Sequence, residues 1–150
     1  MDVEFKKVVS WFQICFHKIC EKYDLRVEPT KYDRLALVGD RYALEFSFHL
    51  GDTYVEYIRR NERGNLESWD LDMHLRCAGK DLDVEKVFCE ETVYDVWKNA
   101  VFWYSRVLDQ GFEELLSGGT EWMSEYLGKW YAEVRDRRLS IVEELWGRLL

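Results

Sequence analysis

Apolar residues at Phe5, Val8, Phe12, Cys15, Phe16, Ile19 and Tyr23 recur in steps of three and four. That spacing puts them on one side of a helix. Lys6, Lys7, Gln13, His17, Lys18 and Glu21 take the other side, and Trp11 borders the polar face. An amphipathic helix over residues 3 to about 22 is predicted. The period then becomes two. Residues 34–38, 42–49 and 53–60 are rich in aromatic and β-branched side chains, with Gly39-Asp40 and Gly51-Asp52 as turns between them. In the second of these runs Tyr42, Leu44, Phe46 and Phe48 alternate with Ala43, Glu45, Ser47 and His49. Beyond a turn at 61–65, Trp69, Leu71, Met73 and Leu75 alternate with Ser68, Asp70, Asp72 and His74, which predicts a fourth strand.

The rest of the chain reads as helices. Asp81 or Asp83 caps a short one through Phe88. Residues 92–110 carry Val93, Val96, Trp97, Ala100, Tyr104, Val107 and Leu108 on one side of a longer helix. Gly111 and Gly118-Gly119 interrupt the pattern, and Thr120 caps a helix bearing Trp122, Met123, Tyr126, Leu127, Trp130 and Val134. That helix runs on to residue 149 or restarts near Arg138, where Ser140 and Glu143 have capping-box spacing.

This order predicts an α+β fold: an N-terminal helix, a four-stranded antiparallel meander, then three to four C-terminal helices packed on one sheet face. The other sheet face is polar and left to solvent or a partner. The 150 residues contain one proline, Pro29, and no Ser/Gly/Pro-rich run, so residues 1–150 are expected to form a single compact domain.

Charge changes the picture more than composition does. Residues 67–95 hold nine acids and three bases, a net −6, against −8 for the whole chain. Such a segment repels nucleic acid and anionic membrane and attracts basic partners. Arg135, Arg137 and Arg138 are interleaved with Asp136 and read as an ion-pair zone, not the unopposed cationic surface that nucleic acid needs. The 24 aromatic side chains supply buried area, and they are also the usual anchors of interfaces. Neither a signal peptide nor a membrane span is recognisable, and the cysteines (Cys15, Cys20, Cys77, Cys89) lack framework spacing. A cytoplasmic protein with reduced, buried thiols is expected.

Candidate chemistry is sparse. Asp70-x-Asp72-x-His74 on a strand would share one face, and Glu45 or Glu56 from neighbouring strands would be needed to complete a divalent-metal site. The plainer alternative is the wet side of an alternating strand. Cys15 and Cys20 diverge around a helix and do not suit one zinc ion. Gly-x-Ser-x-Gly, Gly-x-Gly-x-x-Gly and Gly-x-x-x-x-Gly-Lys are all absent. Gly118-Gly119-Thr120 would present N–H groups to an anion, but a flexible linker and cap explain it more simply. No cofactor is expected, and an enzyme is the less favoured reading.

A small, acidic, tryptophan-rich α+β chain of this element order resembles the immunity proteins of bacterial polymorphic-toxin and contact-dependent inhibition systems. The resemblance implies tight, stoichiometric neutralisation of a cognate toxin, often a basic nuclease, by covering its active site. The residues themselves offer Asp70, Asp72, Glu90 and Glu91 as contacts, with Glu45 and Glu56 on the same polar sheet face and Trp69 as an aromatic anchor. A small metal-dependent hydrolase using Asp70, Asp72 and His74 is the alternative, and a homo-oligomeric scaffold built on Trp11 and Trp146 is a third.

Overall fold

Asp2 starts the first helix by accepting the Glu4 N–H at 2.9 Å, and Asp24 ends it in the left-handed region at φ 53°. Between them α1 (Val3–Tyr23) buries Phe5, Val8, Phe12, Phe16 and Ile19, the stripe its sequence predicts. The structure is a computed structural model that describes residues 2–30, 33–78 and 83–137.

Six strands follow in one antiparallel sheet of order β1 to β6: β1 (Arg26–Pro29), β2 (Arg34–Val38), β3 (Ala43–His49), β4 (Asp52–Arg60), β5 (Leu66–Asp70) and β6 (Val134–Arg137). The expected α+β class holds, but the expected count of four strands does not. Both additions are four-residue edge strands with little periodic signal. Pro29 stands in β1, and a sheet edge is where proline is tolerated.

Four helices complete the described chain: α2 (Asp72–Ala78), α3 (Val93–Gly111), α4 (Glu113–Leu116) and α5 (Trp122–Leu127). Thr92 and Asp95 form a reciprocal capping box at the start of α3. Leu35, Leu37, Leu44, Phe46, Val55 and Tyr57 from the sheet join the α1 stripe and Val101, Tyr104 and Leu108 of α3 in the main core. Phe46 touches Phe12, Phe16 and Tyr104, with ring centroids 5.2, 5.4 and 5.3 Å away. On the opposite sheet face Ala36, Val38, Ala43, Ile58 and Leu66 form a second apolar cluster, each at most 3% exposed. That face is therefore not the polar surface that alternation predicts.

Three further expectations change. Residues 72–75 are helical because the Asp70 carboxylate accepts the Asp72 N–H at 3.3 Å and turns the chain out of the strand. Leu71 and Leu75, spaced for either period, are both fully buried. Residues 83–88 form no helix; Asp81 lies outside the described residues. The last helical pattern stops at Leu127, with Leu127 and Trp130 exposed, and the chain returns to the sheet as β6. Tyr126 fixes that return: its hydroxyl donates to the Asp70 carbonyl at 2.7 Å and accepts the Glu133 N–H at 2.9 Å. The proposed restart near Arg138, with Ser140, Glu143 and Trp146, lies outside the described residues.

Candidate functional site

Strand register collects acids that sequence distance keeps apart. Glu28 is opposite Ala36, Ala36 opposite Glu45, Glu45 opposite Glu56, and Glu56 opposite Asp70. The Asp70 N–H donates to the Glu133 carbonyl at 3.0 Å, so Glu133 continues the row onto the chain leading into β6. Arg34 reaches Glu45 at 3.6 Å, the Ser68 hydroxyl donates to Glu56, and Arg135 bonds Glu133 at 2.5 Å. Glu45 is buried, whereas Glu56 and Asp70 are half-buried. Burial, then the charges of Asp72, Glu133 and Glu56, holds the Asp70 carboxyl above its usual range, against the Asp72 N–H bond.

Asp72 and His74 do not share that face. Asp72, 8% exposed, lies in the first turn of α2, where it accepts from the Tyr104 hydroxyl at 2.5 Å and from Arg76 at 2.8 Å. Tyr104 also lies 3.1 Å from the Thr53 hydroxyl, and the Arg76 guanidinium sits over the Trp103 ring. Buried His74 packs among Phe112, Trp122, Tyr126 and Tyr131, with its Nδ1 2.8 Å from the Tyr131 hydroxyl. Burial holds its imidazole below the usual histidine range. The Asp70/Asp72/His74 strand site is thus not assembled. Among the described residues, no group of three His, Cys, Asp or Glu side chains could hold a metal ion. Trp69 is likewise no rim anchor: it is 4% exposed, packs on Trp122 and Tyr126, and donates its indole N–H to Glu67.

The acids that do face solvent lie on the irregular segment 83–92. Asp83, Glu85, Glu90 and Glu91 are all exposed. One side chain of α3 clamps this segment. The Asn99 carboxamide accepts the Val87 and Phe88 N–H groups at 3.0 and 2.9 Å and donates to the Phe88 carbonyl at 2.9 Å. It donates as well to Glu90, which is also bound by Lys86; these two partners hold the Glu90 carboxyl below its usual range, Lys86 contributing most. The segment borders a pocket of about 260 Å³ lined by Thr53, Arg76, Lys86, Glu90, Trp103 and Tyr104 among others. Sequence reading named Glu90 and Glu91 but missed Asn99, since a polar residue inside an amphipathic helix carries no signal of what it binds.

The Gly118-Gly119 pair is a tight turn, not a flexible linker. Gly118 has φ +88°, and a Cβ on Gly119 would fall 1.8 Å from a Glu114 carboxylate oxygen. Glu114 itself accepts the Trp122 N–H at 2.7 Å, so the chain supplies its own anion at that turn. The cysteines are free as expected, but three are half-buried and Cys89 is exposed. Among the described residues no helix is long and apolar enough to cross a membrane.

Compared with protein-family models, curated proteins and solved structures, the chain has no significant match.

Proposed function

We propose that the chain is a non-enzymatic acidic binding protein, and specifically an immunity protein that neutralises a basic, nuclease-like toxin in the cytoplasm by covering its active site. The observation that carries this reading is the exposed, clamped segment 83–92. Asp83, a cap candidate in the sequence, starts no helix. Beyond the segment, Asp95 caps α3 through the capping box with Thr92. Asp83, Glu85 and Glu91 stand in no helix; Asn99 holds the backbone at Val87 and Phe88 between them, and the Asp95 carboxylate accepts the Glu91 N–H at 3.1 Å. Charge on a pre-ordered segment favours association because less chain entropy is lost on binding and the field steers a cationic partner. Residues 83–95 hold five acids and one base, a net −4.

Glu85, Glu90 and Glu91 are therefore the primary contacts, with Glu56 and Asp70 as a second acidic group on the sheet. Asp72, Glu45 and Trp69 serve the fold through the bonds and burial described above. Nucleic acid and membrane are disfavoured as partners by the sign of the charge.

Reading the neighbouring genes for a toxin-like domain and coexpressing that domain with this chain tests the reading, and a locus without one counts against it. Wild-type protein should relieve growth arrest, whereas Glu85→Lys/Glu90→Lys/Glu91→Lys should not, while unfolding at a similar temperature. No relief by the wild type, or full relief by the triple variant, would reject it.

A further inference from the structure

One surface of this acidic chain has the opposite sign. Along the solvent flank of α1, two adjoining depressions of about 450 and 280 Å³ share Trp11 and Ile14. Their lining includes five cations, Lys6, Lys7, Lys18, Lys98 and Arg106, and one acid, Asp109. Lys7, Lys18 and Lys98 have a carboxylate nearby, on Glu4, Asp109 and Asp95 respectively. Lys6 and Arg106 have no ion pair among the described residues.

The floor is apolar, and it is fixed before any ligand binds. The Trp11 indole N–H donates to the Lys98 carbonyl at 3.0 Å, and its ring meets the Phe88 ring edge-on at 5.1 Å. Phe102 closes the far side at 6.4 Å, beneath the Arg106 guanidinium. Val3 and Ile14 are 67% and 68% exposed, though neither is needed by the main core. An apolar floor ringed by cations is built for a partner with the inverse pattern.

We propose that this groove docks an amphipathic acidic helix of a partner protein, its apolar side on Trp11 and Ile14 and its carboxylates toward Lys6, Lys98 and Arg106. The groove follows α1 from Val3 to Lys18, about 22 Å at the helical rise, long enough for about four turns of such a helix. Charge complementarity selects the occupant. An anionic bilayer would meet the same cations but would also face a chain of net charge −8. The groove borders the acidic segment through Phe88, but its occupant and its test do not depend on the reading proposed above.

The probe is a fluorescein-labelled peptide of about 16 residues, Leu at helical i, i+3, i+4 spacing and Glu elsewhere, beside a counterpart with Lys in place of Glu. Anisotropy should show saturable binding of the Glu peptide only, weakened about tenfold or more in Lys6→Glu/Ile14→Glu. Ile14→Ser, the milder change, should lose part of the affinity. In the wild type the Trp11 indole N–H resonance should move on titration. The proposal is overturned by absence of saturable binding, by equal affinity of the double variant, or by equal binding of the Lys peptide. It is also overturned if Ile14 is instead needed for sedimentation with phosphatidylglycerol vesicles, or for self-association in sedimentation velocity.

Discussion

The Tyr104 hydroxyl lies 2.5 Å from the Asp72 carboxylate, joining the middle of α3 to the first turn of α2 within the core. A residue read as a surface contact is thereby an internal tie. Thr53 of β4 shares the same hydroxyl, so three elements meet at one oxygen. Tyr104→Phe removes it without changing the ring. The cost should be about 1–3 kcal/mol, because Thr53 and Asp72 each lose a buried partner. Urea unfolding reads this as a lower midpoint at unchanged slope.

Asn99→Ala should release the acidic segment without disturbing α3. Val87 and Phe88 lose the acceptor for their N–H groups, so their amides should exchange faster, measured by hydrogen exchange and NMR. The same change should weaken the proposed toxin contact, since the acids would then be ordered only on binding. Unchanged exchange at Val87 and Phe88 would remove Asn99 from this role.

His74 makes stability depend on pH. Burial disfavours its charged form, so the unfolded chain takes up a proton more readily than the folded one. The contribution is complete above about pH 6.5 and falls as pH drops below that value, until the folded imidazole is protonated too. His74→Phe should flatten this part of the profile, as followed by thermal unfolding from pH 7.5 to 5. A profile that stays as steep in the variant assigns the effect elsewhere.

Asp70 has the opposite sign. Its carboxyl is raised, so the folded state binds a proton more readily and stability from this group rises as pH falls through the folded value. Asp70→Asn keeps an oxygen for the Asp72 N–H and removes a charge directly opposite Glu56. It should stabilise the protein by about 0.5 kcal/mol at pH 7, the scale of one cross-strand charge pair. The gain should shrink toward pH 4 as the wild-type carboxyl is neutralised. Loss of stability in this variant would mean that the charge itself is needed by the fold.

Burial pushes the Cys15 and Cys20 thiols up to about 11, leaving little thiolate near neutral pH, whereas Cys89 is exposed. A thiol reagent at pH 8 should show a fast phase that Cys89→Ser abolishes, with Cys15 and Cys20 labelled on unfolding. Rapid labelling of Cys15 in the folded protein would contradict its burial.

Where a period is long and unambiguous, pattern and structure agree. The α1 stripe, three of the strands and α3 were all legible, because burial on one face is what repeats at 3.6 or at 2. The failures share a cause. Trp69, Leu71, Met73 and Leu75 satisfy a strand period, yet the turn made by Asp70 starts a helix at Asp72, and the Leu75 N–H bonds back to the Leu71 carbonyl just before it. Likewise 122–134 satisfies a helical period, yet the Tyr126 hydroxyl holds Glu133 beside Asp70 and commits the chain to the sheet edge.

The sequence by itself determined the α+β class, the negative charge and its concentration in one segment, because patterning and charge are properties of residues in order. Tertiary structure alone decided which acids are displayed. Asp72 and Trp69 turned inward, Glu45, Glu56 and Asp70 fell into one cross-strand row, and Asn99 set Glu90 and its neighbours facing out. It also decided that cations scattered over α1 and α3 converge on one apolar groove. The physical reason is that a side chain's direction depends on register, turns and hydrogen bonds made with residues tens of positions away, and no local period encodes those.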